Sequence, residues 1–219
     1  MEKVENKVMY HYHKPYIKPE EWQIGNELII DSNYDSEFIH GSIYNNNTCF
    51  WINDNECLSA SLLAEKILNK ATDEYIEELF HDKEKYLKAM RLLKKYVEET
   101  GGMLRNTAIT NREEGLEDYR AKNHPDYISR LHCLWVCEEK QLKYWERMLN
   151  KKCELYQILL TGNLQRTNAA YLPFFGFSRE ETENVSECYW NPPEGRDESK
   201  DEFLFQGKAK ILRKVIIEK

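Results

Sequence analysis

Two histidines near the start of the chain have the residue type and the spacing for chemistry. They are His11 and His13, in the segment VMYHYHKPYI at residues 8–17. The segment reads as a β-strand, and residues two apart on a strand share a face, so both imidazoles point the same way. Three roles are open to such a pair: metal ligands, one wall of a binding pocket, or strand histidines satisfied by backbone groups or water.

A metal site built on this pair needs a third and a fourth ligand. The remaining histidines follow no known ligand spacing: His40, His81, His124 and His132. The six cysteines form no CxxC pair: Cys49, Cys57, Cys133, Cys137, Cys153 and Cys188. Scattered cysteines of a cytosolic chain are usually reduced and buried as small apolar residues. We therefore expect no bound metal.

The elements that must position chemical groups are strands at the two ends of the chain and helices between them. Residues 1–30 predict two short strands around a proline-containing turn, and residues 32–54 read as a loop. Residues 58–122 have the apolar spacing of helices and form a helical block. This order favours a single α+β domain over residues 1–219, with an insertion at about 58–122, and not an alternating βαβ fold.

Inside the helical block, one apolar stripe runs from Ile76 to Val97 on a long amphipathic helix. Gly101 and Gly102 predict the end of that helix. Thr110 begins a capping-box pattern, which predicts the start of another helix, and Pro125 requires that helix to end before it.

The C-terminal part predicts more strands than helices. The predicted elements are a buried strand at 130–137, a helix at 137–152, a strand at 154–164 followed by a loop, a helix begun by the capping box of Ser178 and Glu181, and two terminal strands with a turn at Gln206 and Gly207.

Composition limits the classes of function. The chain is 41% hydrophobic and 32% charged, as in soluble globular proteins, and its formal net charge of −7 argues against a whole-surface nucleic-acid binder. It has no apolar run of about 18 residues that would span a membrane, and its charged start lacks the apolar region of a signal peptide. We expect a cytoplasmic protein without a membrane partner. Phosphate-loop, dinucleotide, serine-hydrolase and zinc-protease motifs are absent.

Three separated segments together resemble ADP-ribosyltransferases of the diphtheria-toxin-like type. VMYHYHKPYIKPEEWQIG resembles the first strand, with its Tyr-His pair and a later Ile and Gly. YISRLHCLWVCEEKQLKYW resembles the block in which Ser-Arg leads into a strand and a helix. DEFLFQGKAKILRKV resembles the last block, E-x-L-x-x-G. The middle and end of the chain, including LYQILLTGNLQRTNAAYL and the YW of ECYWN, also look like an uncharacterised bacterial domain family associated with that superfamily. The resemblance covers about the first 30 residues and roughly residues 120–219. The helical block is outside the resemblance.

The resemblance implies a split antiparallel sheet of ADP-ribosyltransferase type, NAD as the substrate, and roles for individual residues. Glu202 takes the place of the catalytic carboxylate, which holds the 2′-hydroxyl of the ribose and stabilises developing positive charge. His11, with His13 beside it, matches the histidine that binds a ribose hydroxyl. Arg130, next to Ser129, has the donors to grip a phosphate.

The tyrosine that stacks on nicotinamide in that superfamily has no clear match. Loose candidates are Tyr144, Trp145, Tyr189 and Trp190. Of these, Tyr144 is assigned to the cofactor.

Two functions from different classes follow. The first is an NAD-dependent ADP-ribosyltransferase that modifies a macromolecular acceptor, protein or nucleic acid, as do toxins and antiphage effectors that a partner protein neutralises. The second is a non-enzymatic protein that binds a partner through its helical block, which predicts exposed apolar residues there. A metal-dependent hydrolase using His11 and His13 is a third alternative. The first function requires His11, Arg130 and Glu202 to line one cleft.

Overall fold

The structure is a computed structural model that describes residues 1–36, 49–53, 56–59, 62, 64–65, 68–69, 71–149, 153–173 and 177–216. The chain divides into two compact units. We call residues 1–41 and 110–219 the terminal unit, and residues 42–109 the inserted unit. The insertion expected at about 58–122 overlaps the inserted unit at residues 58–109.

Five antiparallel strands form the sheet of the terminal unit. They are β1 (Glu2–His13), β2 (Glu27–Ile30), β5 (Leu134–Val136), β6 (Glu154–Asn168) and β7 (Asp201–Val215). The order is β1-β6-β7-β2, and β5 pairs with β7 beside β2. Tyr10 and Cys137 also exchange two backbone hydrogen bonds of 2.9 Å, which tie the end of β5 to the outer edge of β1. The strands β1, β6, β7 and β5 therefore close into a ring.

The two faces of β7 have different neighbours because side chains alternate along a strand. Phe203 and Phe205 pack inside the ring in a cluster with Met9 and Trp22. Leu204, on the other face, packs against Tyr189 and helical residues of the terminal unit. A second hydrophobic core thus lies on the outer face of the ring.

Helices occur in both units, and one of them runs from the inserted unit into the terminal unit. Their bounds are α1 (Asp73–His81), α2 (Lys83–Asn123), α3 (Leu142–Met148), α4 (Arg179–Val185) and α5 (Glu187–Trp190). Two short strands, β3 (Cys49–Asn53) and β4 (Glu56–Ser59), pair as an antiparallel hairpin. With helices beside antiparallel sheets, the predicted α+β class is confirmed. None of the described helices has both the length and the apolar composition needed to cross a bilayer.

Local signals predicted some ends of helices and missed others. Ser178 and Glu181 form the predicted capping box of α4, and α2 ends at Asn123, before Pro125 as predicted. The predicted stop at Gly101 and Gly102 is wrong, because α2 continues through both glycines for 41 residues. Thr110 therefore lies inside a helix and does not begin one. Two helical glycines cost about 1 kcal/mol each relative to alanine, and α2 continues through them despite that cost.

Two strand predictions are also wrong. The predicted loop at 32–54 contains β3, and Leu58 belongs to β4 and not to a helix. The terminal segment is one strand, β7, without a turn at Gly207. Gly207 lies opposite Gly162 of β6, and a Cβ on Gly207 would be 2.4 Å from the Thr161 carbonyl oxygen. Both glycines serve a close approach of the two strands, which a sequence pattern cannot distinguish from a turn.

Candidate functional site

Two residues that the sequence singled out, 72 positions apart, are in direct contact. The guanidinium Nη1 of Arg130 lies 2.5 Å from Oε1 of Glu202, and both residues are almost fully buried. Arg130 is in the segment between α2 and β5, while Glu202 is the second residue of β7. Because Glu202 shares a face with Leu204, its side chain lies on the outer face of the ring.

A second carboxylate, Glu113 of α2, completes the charge balance. Its Oε2 accepts from Nε of Arg130 at 2.7 Å, and its Oε1 accepts from Nη2 of Arg112 at 2.7 Å. Burial alone would raise the pKa of Glu113, but the guanidinium groups of Arg130 and Arg112 outweigh it and hold that pKa below its usual range. Two anions and two cations therefore share one buried site.

Tyr189 of α5 and Thr167 of β6 supply the neutral partners of Glu202. The Tyr189 hydroxyl donates to Oε1 of Glu202 and accepts from Arg130. The Thr167 hydroxyl lies 3.0 Å from the Tyr189 oxygen and 3.3 Å from Oε1 of Glu202. Burial raises the pKa of Tyr189 well above its ordinary value; Arg130 opposes that rise and Glu202 adds to it, so the phenol stays protonated. We call Glu113, Arg130, Thr167, Tyr189 and Glu202 the Glu202 cluster.

The two oxygens of Glu202 differ in their partners. Arg130, Tyr189 and Thr167 all contact Oε1. Oε2 accepts no hydrogen bond from any of the described residues, and the residue is 4% exposed. One oxygen is thus fixed by three donors while the other keeps its accepting capacity.

Aromatic rings hold the guanidinium of Arg130 from two sides. Its Cζ lies 4.7 Å from the ring centre of Trp135 and 4.8 Å from that of Tyr189. Its Nε, Nη1 and Nη2 all contact carboxylates of the cluster. Arg130 therefore positions Glu202 and has little donor capacity left for a phosphate.

His11 and His13 lie in a different environment, inside the ring. The indole of Trp22 stacks on both, with its ring centre 4.5 Å from that of His11 and 4.4 Å from that of His13. The Nδ1 of His11 is 2.7 Å from the carbonyl oxygen of Trp135. These histidines share the face of Met9, whereas Glu202 is on the opposite face of the sheet. The structure thus joins Arg130 to Glu202 and does not bring the histidines to them.

Ser129 and Tyr144 have local contacts near the cluster. The Ser129 hydroxyl accepts from the backbone N–H of Leu131 at 3.1 Å and so stabilises the turn that carries Arg130. Tyr144 of α3 packs edge-on against Trp145. Burial raises the pKa of Tyr144; Lys200 opposes the rise and Glu202 adds to it.

Two further histidines have ordinary partners. His124 contacts Glu187 at 2.8 Å, and His132 contacts the Tyr34 carbonyl oxygen at 3.2 Å. His40 lies outside the described residues. Among the residues that are described, no three His, Cys, Asp or Glu side chains form a group able to hold a metal.

A cavity of about 560 Å³ lies beside the start of β7 in the terminal unit. Asp201 and Phe203, the two neighbours of Glu202, line it together with Trp190, Gln165 and Arg166. Gln165 is buried, and its Oε1 has no hydrogen-bond partner. This volume is within the range of small-molecule pockets.

Sequence reasoning missed Glu113 and Thr167 as members of the cluster. The spacing of Thr110 and Glu113 indicated a capping box. No local sequence pattern shows that a carboxylate will contact an arginine of another segment. Tyr189 was only one of four loose aromatic candidates, and its position against Glu202 depends on the packing of α5.

Comparison with known proteins assigns the chain to a family without assigning a function. The family model described as "Protein of unknown function (DUF2441)" matches residues 9–219. No curated protein matches the chain. The match covers nearly the whole sequence, and the chain therefore belongs to the DUF2441 family.

Proposed function

We propose that this protein is an NAD-dependent ADP-ribosyltransferase in which Glu202 is the catalytic carboxylate. The observation that carries the proposal is the asymmetry of Glu202: Arg130, Tyr189 and Thr167 hold Oε1, while Oε2 is left to accept from a substrate hydroxyl. The sequence resemblance selected Glu202 and Arg130 independently of this geometry. The split antiparallel sheet of ADP-ribosyltransferase type belongs to the same proposal.

In this mechanism Oε2 of Glu202 accepts a hydrogen bond from the ribose 2′-hydroxyl of NAD. The bond between the ribose C1′ and the nicotinamide nitrogen breaks, the electron pair stays on the nitrogen, and neutral nicotinamide leaves. The carboxylate stabilises the positive charge that develops on the ribose. A nucleophilic atom of the acceptor then bonds to C1′ and releases its proton. Arg130 and Tyr189 keep the carboxylate in place throughout.

We place the ribose of NAD at Oε2 of Glu202, beside the cavity that Asp201, Phe203 and Gln165 line; Glu202 itself does not line that cavity. The resemblance gives His11 and His13 to the cofactor, but their stacking on Trp22 favours a structural role inside the ring. The acceptor is a macromolecule, and the net charge of −7 favours a protein over a nucleic acid.

The test is NAD consumption by the wild type and by Glu202→Gln, with mass spectrometry of a treated lysate for added ADP-ribose. We expect the substitution to lower turnover by about 100-fold or more, as loss of a transition-state contact does. Glu198→Gln is the matched control. Glu198 lies in the turn before β7 and is an exposed carboxylate that pairs with Lys140. Circular dichroism and calorimetric NAD titration check that each variant folds and binds.

Two results would overturn the enzymatic proposal. One is a wild type that neither binds nor consumes NAD. The other is a folded Glu202→Gln variant that consumes NAD at the wild-type rate.

A second candidate function is partner binding through the inserted unit. It is favoured by exposed apolar side chains on α1 and on the first part of α2, among them Phe80, Val97 and Leu104. Monomeric soluble proteins rarely expose a large apolar patch unless it binds a partner.

A further inference from the structure

The ring of strands closes at a seam between β1 and β5 that has few backbone contacts. Tyr10 and Cys137 form its pair of backbone hydrogen bonds, each 2.9 Å long. In an antiparallel ladder the next hydrogen-bonded pair would be Tyr12 with Trp135, two positions away on each strand. No backbone hydrogen bond between the described residues joins those two. The backbone ladder of the seam therefore stops before Trp135.

The imidazole of His11 takes the place of the next backbone bond. Its Nδ1 lies 2.7 Å from the carbonyl oxygen of Trp135. Because a carbonyl oxygen can only accept, Nδ1 carries the hydrogen and donates it. His11 is buried, so water does not compete for this contact. His11 thus fixes β5 against β1 at Trp135.

Trp135 carries this contact from one face of the sheet to the other. Its chain neighbours Leu134 and Val136 belong to the hydrophobic core inside the ring, while Trp135 packs against the core on the outer face. Since side chains alternate along a strand, the indole of Trp135 points outward from the sheet. The residue that His11 binds thus has its indole on the face of Glu202.

On that face the indole of Trp135 holds Arg130. Its ring centre is 4.7 Å from Cζ of Arg130, and the ring centre of Tyr189 is 4.8 Å from the same atom. A guanidinium is attracted to the face of an aromatic ring, most strongly where water is excluded, and Arg130 is almost fully buried. The same guanidinium contacts Oε1 of Glu202 at 2.5 Å. Three contacts in series therefore connect His11 to Glu202.

We propose that His11 is a positioning residue for the Glu202 cluster. It acts through Trp135 on Arg130 and makes no contact with the substrate. Its effect on NAD turnover rests on the proposed function, whereas its coupling to Arg130 does not. This role differs from the hydrogen bond to a ribose hydroxyl that the resemblance gives to the same histidine.

The Nε–H signal of Arg130 in ¹H–¹⁵N spectra of the full chain tests the coupling. Aromatic rings shift the resonances of hydrogens near their faces, so this signal, assigned through the carbons of its own side chain, reports the position of Arg130 against the indole. We expect His11→Gln to move it, because the glutamine side chain has no nitrogen at the position of Nδ1. His11→Asn should leave it in place, since its amide nitrogen is bonded to Cγ, as Nδ1 is in histidine.

NAD turnover by the same variants separates positioning from substrate contact. His11→Gln should lower kcat about 10-fold and leave KM unchanged, because it disturbs the cluster and not the binding of NAD. His11→Asn should keep the wild-type kcat. Trp135→Leu removes the indole and should lower kcat as much as His11→Gln does. Combining the two changes should lower it no further, because the two residues act in series.

His13→Gln is the matched control for the Arg130 signal. His13 stacks on Trp22 at 4.4 Å, as closely as His11 does at 4.5 Å, whereas the contact with the Trp135 carbonyl belongs to His11. The control should leave the Arg130 signal at its wild-type position.

The positioning role is wrong if His11→Gln leaves the Arg130 signal in place, or if His11→Asn moves it as far as His11→Gln does. It is also wrong if His11→Gln raises KM and leaves kcat unchanged, because His11 would then contact NAD. A wild type without NAD turnover contradicts the enzymatic function alone, and the Arg130 signal then decides whether His11 positions the cluster.

Discussion

Glu113 shows how a single buried carboxylate can keep its charge. It is fully buried, yet Arg112 and Arg130 both donate to it. Removing one partner from such a group leaves an uncompensated charge, which costs more than the intact pair contributes. The residue therefore matters for stability and, through Arg130, for the position of Glu202.

We expect Glu113→Gln to lower the free energy of unfolding by about 3 kcal/mol, since Arg112 and Arg130 would both lose a buried carboxylate partner. The measurement is urea denaturation at neutral pH. Glu117→Gln on the same helix is the control; Glu117 pairs with Arg120 near the surface and should cost about 1 kcal/mol or less. A loss below 1 kcal/mol for Glu113→Gln would contradict the buried charge balance.

The pH dependence of the same variant has a definite sign. Because the pKa of Glu113 is lower in the folded chain than in the unfolded one, its contribution is present above the unfolded value of about 4.3 and is lost as pH falls through the folded value. The difference in unfolding free energy between wild type and Glu113→Gln should therefore shrink below about pH 4. Denaturation series from pH 7 to pH 3 measure it, and a constant difference would contradict the pKa shift.

At the scale of residues, sequence reasoning reached part of the site. Glu202 and Arg130 were named from the order of short motifs, and the structure brings the two into contact, with Arg130 bound to carboxylates and not left free for a phosphate. Glu113, Thr167 and Tyr189 belong to three other elements, and their convergence on Glu202 depends on tertiary packing. His11 and His13 share a strand face as predicted, but the sequence could not say which face meets Glu202.

At the scale of elements, the glycines of α2 and of β7 have different structural roles. Gly101 and Gly102 lie in a regular helix, and a Cβ on either would meet no atom within 4 Å. Gly207 has φ +142°, and its Cβ would meet the backbone of β6. The sequence predicted a break at all three, because it shows the glycine and not its neighbours.

Gly102→Ala should raise the stability of the inserted unit by about 1 kcal/mol, because alanine restricts the unfolded chain and favours the helix. Thermal unfolding followed by far-UV circular dichroism measures the gain. Ala89→Gly, the reverse change in the same helix, should lower stability by a similar amount. A destabilising Gly102→Ala would show that α2 bends at the glycine pair.

Gly207→Ala should destabilise the terminal unit by about 3 kcal/mol, through strain at positive φ and the close carbonyl oxygen of Thr161. Gly195→Ala separates the two causes, since Gly195 has φ +79° and no atom within 4 Å of an added Cβ. We expect it to cost about 1 kcal/mol. Chemical denaturation measures the loss in free energy of unfolding for both variants. Equal losses would contradict a steric contribution from the Thr161 carbonyl oxygen.

Elements with local signals were predicted best. The capping box of α4 is a contact between residues three apart, which the sequence shows directly. The long strands β6 and β7 are separated in sequence by a loop and helices, yet they pair over 14 positions. The length of each strand therefore depends on the other. The loop predicted after residue 164 is instead the end of β6, where Thr167 pairs with Glu202.

At the scale of the whole molecule, the two compact units predict how the chain unfolds. Each unit has its own set of internal contacts, so denaturation should show two transitions. Gly102→Ala should raise one midpoint and Gly207→Ala should lower the other, which assigns each transition to a unit. A single transition that both variants move would mean that the units unfold as one.

The same experiment locates the NAD site. The cavity and the Glu202 cluster belong to the terminal unit, so NAD should raise the midpoint that Gly207→Ala lowers and leave the other unchanged. At about 100 times the dissociation constant, the added stability is about 2.7 kcal/mol. Differential scanning calorimetry with and without NAD measures it, and nicotinic acid is a control ligand that lacks the ribose. An NAD effect on the inserted unit alone would place the binding site away from Glu202, because a ligand stabilises only the state to which it binds.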